Sequence, residues 1–415
     1  MSKMKMMRAR DKKKSDLVPR LRFPAFRDVG EWEIKKLSEL IKMIIPPKKL
    51  LTSEYQKSGL FPIVDQSQKY IAGWTNDKFS IIDKYQAVII FGDHTCILKL
   101  IESPFAQGAD GIKIFYCPSD VLTKYTYQYL LFNPIKMEEY KRHFSILKEK
   151  SITYPNDKIE QQRIVDCLSS LDERIAAETS KLDRIKDHKK GLLKQLFPVE
   201  GETLPQLRFP EFRDAGEWKK ITLYNICDIL PGYTFPEALQ GKQYGQYPFC
   251  KVSDISKAIS DDGGLLHRAI NYIDSADLSI LKAKPIPTGT TVFAKIGEAL
   301  RLNRRAISTV ECLIDNNAVG IKAKPGKLIN YFLYILSQRI DLNKYCGGAV
   351  PSVSKTVLEN IAVVIPTCSE QQRIANCLSS LDELIAAQTQ KINLLKDHKK
   401  GLMQQLFPRI DKVLA

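Results

Sequence analysis

The residues from which hydrolytic, metal or nucleophile chemistry would be built are present in this 415-residue chain, but not in working patterns. The sequence contains neither HExxH nor GxSxG, so neither a zinc-protease helix nor a nucleophile elbow is encoded. The nearest approach to a phosphate loop is Gly320 to Leu328. It has five residues between Gly320 and Gly326 instead of four, and Leu328 stands where a magnesium-holding Ser or Thr belongs. Asn133-Pro134-Ile135-Lys136 fails the Asn-Pro-Pro-aromatic pattern with which amino-methyltransferases hold a flipped base. Glu217-Trp218-Lys219 imitates the end of a nuclease acidic triad, yet the matching Glu31-Trp32-Glu33 loses the lysine, so we expect a turn entering a strand. The five histidines are dispersed, and His188 and His398 lie in lysine-rich helical stretches, where they read as solvated. The nine cysteines form no CxxC pair, which argues for reduced thiols and a cytoplasmic protein, and against a disulfide framework or a zinc site. No catalytic residue and no metal ligand is expected.

What the composition does encode is binding. The formal net charge is +16 and 44% of residues are hydrophobic, the balance of a globular protein with a polyanionic partner. No apolar run is long enough to cross a bilayer. The first 18 residues form a basic tail suited to phosphates, with no apolar core that would make them a secretory signal.

Two repeats organise the chain. Pro19–Trp32 (PRLRFPAFRDVGEW) returns as Pro205–Trp218 with 11 of 14 positions matched at a shift of 186. Glu160–Pro198 returns as Glu370–Pro408 with 28 of 39 matched at a shift of 210. The chain is therefore a pseudo-two-fold tandem repeat, not a solenoid.

The long repeat predicts a helix. Ile164, Leu168, Leu171, Ile175, Leu182, Ile185, Leu192 and Leu196 keep a four-three spacing, interrupted at Glu178 and Lys189. Ile374, Leu378, Leu381, Ile385, Ile392, Leu395, Leu402 and Leu406 repeat it, interrupted at Gln388 and Lys399. This spacing is a coiled-coil seam. Pro198 and Pro408 stop the helices, each roughly 55 Å long at about 1.5 Å per residue. Pairing within one chain, antiparallel by the pseudo-symmetry, costs less entropy than recruiting a second chain. Pairing in trans is the alternative.

The segments between are dissimilar and read as mixed α/β. Phe61–Val64, Gln86–Phe91, Thr95–Ile101 and Ile112–Tyr116 predict strands in the first; Ser119–Phe132 and Met137–Leu147 predict helices. In the second, Tyr247–Val252, Thr290–Ile296, Arg305–Val310 and Ala318–Ala323 predict strands and Leu328–Ile340 a helix. The expected fold is α/β (α+β): two globular heads on two long helices. The expected divisions are a basic tail at 1–18, a first head at 19–158, a helix at 159–198, a second head at 199–368, a helix at 369–408 and a tail at 409–415.

The set of motifs resembles the specificity subunit of type I restriction–modification enzymes, from about Pro19 to Pro408. Its carriers are the two LRFP…GEW blocks, YPFCKVSD, PTGTTVFAKIG, GGAVPSVSKTVLENIAVVIP and the EQQRI helices. The first copy departs from it, with YKRHFSILKEKSITYP in place of a GGAVPSVSK-like stretch, so the two heads belong to different types. The resemblance implies two target recognition domains that read an asymmetric bipartite double-stranded DNA sequence. It implies spacer helices that dock two methylation subunits, which use S-adenosylmethionine. Motor-nuclease restriction subunits, which use ATP with Mg²⁺, would join them. No cofactor is expected on this chain, which would be the non-catalytic part of an adenine-N6 methyltransferase and endonuclease complex. The competing readings are a coiled-coil scaffold or adaptor without a DNA role, and a single-chain methyltransferase-associated recognition module.

DNA contacts are expected from polar and basic residues in loops. In the first head these are Gln66, Ser67, Gln68, Lys69, Tyr70, Trp74, Asn76 and Lys78, with Arg142, His143 and Ser145 as additions. In the second they are Lys251, Ser253, Asp254, Lys295, Arg301, Asn303, Arg304, Arg305, Ser352, Ser354 and Lys355. Arg and Lys suit guanine or phosphate, and Asn and Gln suit adenine.

Overall fold

The computed structural model describes residues 17–109, 111–137, 142–347 and 350–408. The basic tail up to residue 16, the C-terminal tail and residues 138–141 of one predicted helix lie outside these. The chain divides into two compact units, Met1–Thr179 with Lys391–Ala415, and Ser180–Gln390.

In chain order the first unit contains β1 (Glu33–Lys36), α1 (Leu37–Leu40), β2 (Lys42–Met43), β3 (Phe61–Val64), β4 (Gly73–Thr75), β5 (Ile81–Ile82), β6 (Val88–Gly92), β7 (Leu98–Ile101), β8 (Phe105–Gln107), β9 (Ile112–Tyr116), α2 (Thr123–Phe132), α3 (Phe144–Lys148) and β10 (Ser151–Tyr154), followed by the first part of α4 (Lys158–Gln195). Two four-stranded sheets, ordered β2-β9-β6-β7 and β4-β3-β8-β5, form the head, and β1 pairs with β10 at its base. The run Val88-Ile89-Ile90-Phe91 is buried throughout, as β-branched and aromatic residues in a central strand require.

The second unit contains the rest of α4, then β11 (Lys219–Thr222), α5 (Leu223–Ile226), β12 (Cys227–Pro231), β13 (Tyr247–Cys250), α6 (Val252–Asp261), β14 (Leu265–Leu266), β15 (Asn271–Ile273), α7 (Ser275–Leu281), β16 (Thr291–Ala294), α8 (Glu298–Arg301), β17 (Ala306–Ser308), β18 (Leu313–Ile314), β19 (Ala318–Ala323), α9 (Asn330–Gln338), α10 (Lys355–Asn360), β20 (Ala362–Ile365) and the start of α11 (Cys368–Leu406). Its head has a five-stranded sheet, β12-β19-β16-β17-β14, and a three-stranded one, β15-β13-β18, while β11 pairs with β20.

The predicted strands Phe61–Val64, Ile112–Tyr116 and Ala318–Ala323 appear with those bounds. The strand predicted from Thr95 starts only at Leu98, because Thr95 sits in a hairpin turn and Cys96 has φ +54°. The predicted helix over Met137–Leu147 is represented among the described residues by α3 alone. Lys219 opens β11, and Glu217 and Trp218 lead into it from the turn at Arg213 and Asp214.

All sixteen seam residues are buried or half-buried. In the first unit, Ile164 and Leu168 of α4 share a core with Leu402, Met403 and Leu406 of α11. In the second, Leu192 and Leu196 of α4 share one with Ile374, Leu378 and Leu381. The lysines that interrupt the seam are paired. Lys399 Nζ lies 2.6 Å from both oxygens of Asp172, and Lys189 binds Asp382. Each pair is the other's counterpart at the 210-residue shift, so each unit sets the start of one helix beside the end of the other.

Candidate nucleic-acid interface and its frame

The repeated sequences become intelligible as side-chain roles. Arg22 makes a two-pronged bond to Glu160, Nε to Oε1 and Nη2 to Oε2, both 2.7 Å. Arg208 grips Glu370 in the same way, at 2.8 and 2.7 Å, and this bonding raises its pKa further. The glutamate of each EQQRI thus anchors the arginine of each LRFP block at the start of a long helix. Both glutamate side chains are 1% exposed, and a planar fork matching a carboxylate is the arrangement that tolerates such burial.

The next glutamine reaches the head. In the first unit Gln161 Oε1 accepts from Leu122 N at 2.7 Å, while its Nε2 donates to the carbonyls of Asp120 (3.0 Å) and Pro155 (2.8 Å). In the second Gln371 Oε1 accepts from Ile329 N at 3.1 Å, and its Nε2 donates to Lys327 O and Pro366 O. The phenylalanine before each stop proline closes the frame. Phe407 packs edge-on against Tyr125 and Tyr129, and Phe197 packs against Trp218 and Phe332.

In the first head, residues 65–70 loop out between β3 and β4. Gln66 and Ser67 are half-buried, and Gln68, Lys69 and Tyr70 are exposed. Tyr70 braces the loop by donating its hydroxyl to Leu100 O. Trp74 is half-buried in β4, bridged to Gln56. Asn76 is exposed but tied, accepting from Leu60 N at 3.0 Å and donating to Gln56 Oε1 at 3.1 Å. Lys78, Arg142 and Ser145 are exposed. His143 is not on this surface. It is 1% exposed, its backbone N–H donates to Asp93 O, and its Nδ1 lies 3.0 Å from the same oxygen.

In the second head Lys295, Ser352, Ser354 and Lys355 come together on one 230 Å³ cavity whose apolar lining includes Ile229, Pro231, Val319 and Leu358. Ser354 also caps α10 by accepting from Val357 N. Arg301, Arg304 and Ser253 are exposed elsewhere. Lys251 is half-buried, donating to Gln240 Oε1 and lying over the Phe235 ring. Two expected contacts turn inward. Asp254 is 4% exposed, its carboxylate accepting from Lys251 N and Ile270 N. Arg305, also 4% exposed, stacks 4.4 Å above the Phe293 ring and donates to Ile340 O; burial pushes its pKa down to about 10. Asn303, with φ +50°, is held by the same Ile340 carbonyl. His143, Asp254 and Arg305 are therefore interior braces, and we withdraw them as surface contacts.

His94, which is not among the expected contacts, is exposed at the tip of the β6–β7 hairpin. The signal was available in Gly92-Asp93 between two apolar runs, a turn pattern. Among the described residues no three potential ligands gather for a metal, no helix is long and apolar enough to cross a membrane, and all nine cysteines are unpaired.

The family model for the type I restriction modification DNA specificity domain matches residues 30–187 and again 215–397. The chain is 25% identical over 377 residues to the EcoR124I/EcoR124II specificity subunit of Escherichia coli, covering 86% of this chain and 88% of that protein. It is 22% identical over 412 residues to the MjaVIII specificity subunit of Methanocaldococcus jannaschii, covering 91% and 92%. The fold matches the crystal structure of the type I restriction-modification S subunit from M. genitalium with a TM-score of 0.65 at 15% identity, over 94% of this chain and 99% of that one. With the family model matched twice, once on each copy of the repeat, the chain belongs to the type I restriction–modification DNA specificity family.

Proposed function

We propose that this chain reads an asymmetric, bipartite double-stranded DNA target, one half-site per head. The two long helices form an intramolecular antiparallel coiled coil that sets the spacer and docks two methylation subunits; restriction subunits join the same assembly. The chain itself carries no catalytic group and binds no cofactor. S-adenosylmethionine belongs to the methylation subunits, and ATP with Mg²⁺ to the restriction subunits. The functional divisions are the heads at 19–158 and 199–368 and the helices at 159–198 and 369–408, in a cytoplasmic complex.

The observation that carries this reading is two different heads seated on one repeated frame, with equivalent residues making equivalent bonds in both copies. A single site or a palindrome needs no such difference between heads. The excess of basic residues supplies phosphate attraction.

The test is adenine methylation mapped across the genome of a host expressing this chain with methylation partners, compared with a deletion of the chain. We expect a two-part motif that disappears on deletion. Inserting seven residues into α4 should change the spacer or abolish the motif, since a heptad adds about 10 Å at 1.5 Å per residue. An unchanged spacer would refute the helices as what sets it, and no motif at all would favour the scaffold reading.

A further inference from the structure

At the DNA-candidate end of the first head, two turns are locked to each other. Lys99, on β7 and 4% exposed, donates to Asp65 O at 2.8 Å and Lys69 O at 2.5 Å, clasping both ends of the loop between β3 and β4. Burial holds its ammonium below the usual lysine range. Thr95 Oγ1, in the tip of the β6–β7 hairpin, donates to Gln66 O at 3.0 Å and ties the second turn to the first. Within the hairpin, Asp93 N donates to Gly111 O and the Asp93 carboxylate accepts from Phe144 N at 2.8 Å. Gly92 and Gly111 are required by the closeness of this packing. A Cβ on Gly92 would strike the Thr95 hydroxyl, and one on Gly111, at φ +96°, would strike the Gln66 carboxamide.

So much bracing fixes the backbone beneath two exposed planar polar side chains, Gln68 on the loop and His94 on the hairpin tip. We propose that Gln68 and His94 are the base-reading residues of the first head, with exposed Lys69 beside them on phosphate. This rests on the reading of the chain as a DNA specificity subunit and names where one half-site is read. A two-stranded ribbon fits the major groove, and a carboxamide there bonds an adenine through two atoms. An imidazole offers an N–H and a lone pair in one plane, suited to base edges. A backbone ordered before binding spares the entropy of fixing these groups on DNA.

The experiment uses the whole chain with its methylation subunits. Adenine methylation is mapped in the host for the unaltered chain, Gln68→Ala, His94→Ala and His94→Gln. Purified complexes are titrated with duplexes substituted at each base pair of both half-sites. Each alanine change should lower discrimination roughly ten-fold or more at one or two adjacent base pairs of a single half-site, leaving the other half-site and the spacer as they were. His94→Gln, which keeps a polar end on the same turn, should shift the preferred base there. Preference retained within two-fold at every position overturns the proposal. So does a loss spread evenly over both half-sites, or an alanine variant that no longer binds beside a glutamine variant with unaltered preference. A missing two-part motif with the unaltered chain is a different result and fails the parent reading instead.

Discussion

Arg22–Glu160 and Arg208–Glu370 are bonded alike to within 0.1 Å, while the sheets they support run β2-β9-β6-β7 in one head and β12-β19-β16-β17-β14 in the other. The difference separates two kinds of constraint. Frame residues answer to the opposite copy, because α4 and α11 contribute to both units, so a change in one must suit the other. Head residues answer only to their own core and to whatever they bind. Even the frame is not perfectly even: Trp218 Nε1 lies 3.3 Å from Glu370 Oε1, whereas the buried Trp32 Nε1 has no partner among the described residues.

The comparison can be broken at the seam. Leu168 and Leu378 are equivalent residues at 0% exposure. Replacing either with Asp buries an unpaired charge and should cost on the order of 5 kcal/mol or more, enough to unfold a domain of ordinary stability. The same change at half-buried Leu171 or Leu381 should cost less. Circular dichroism of the full chain checks both, and tolerance of Asp at Leu378 would rule out a tight seam there.

A middle-sized effect sharpens the asymmetry. Glu160→Ala and Glu370→Ala each leave a buried guanidinium unpaired, at about 3–5 kcal/mol. Glu370→Ala should be the costlier because it also strips Trp218 of its acceptor. Denaturant midpoints of the two variants measure the gap, and the reverse order would mean that the indole bond contributes nothing.

The smallest effect concerns the charged seam positions. Lys189→Met and Lys399→Met each break one pair between a mostly buried ammonium and a partly exposed aspartate, worth on the order of 1 kcal/mol. Because the pairs are equivalent, the two losses should agree and should shrink as salt is raised. Unequal losses would show that the two pairs are not alike in strength.

Much of the frame was legible because a four-three spacing has one physical meaning over so many turns: Leu168 and Leu378 could hardly face anything but apolar neighbours. The lysines at 189 and 399 read only as interruptions, since the aspartates that meet them lie on the other helix, about two hundred residues away in sequence. The heads were legible as strands and helices but not as surfaces. Arg305 and Arg304 are neighbours of the same type, yet one stacks inside on Phe293 and the other faces solvent. Composition cannot decide between them, because the difference arises from which side of a short connection meets the sheet. His94 was passed over for the opposite reason: a lone histidine has no pattern until the turn around it is seen to be braced from three sides.

Gln161 and Gln371 hold their heads through main-chain groups: the N–H of Leu122 and the carbonyls of Asp120 and Pro155 in one case, the N–H of Ile329 and the carbonyls of Lys327 and Pro366 in the other. Every amino acid but proline supplies both of those groups. A socket that grips peptide units is indifferent to the side chains plugged into it. An entire head could be exchanged for another of unrelated sequence without rewriting the glutamine that receives it, provided that the new head presents the same peptide groups.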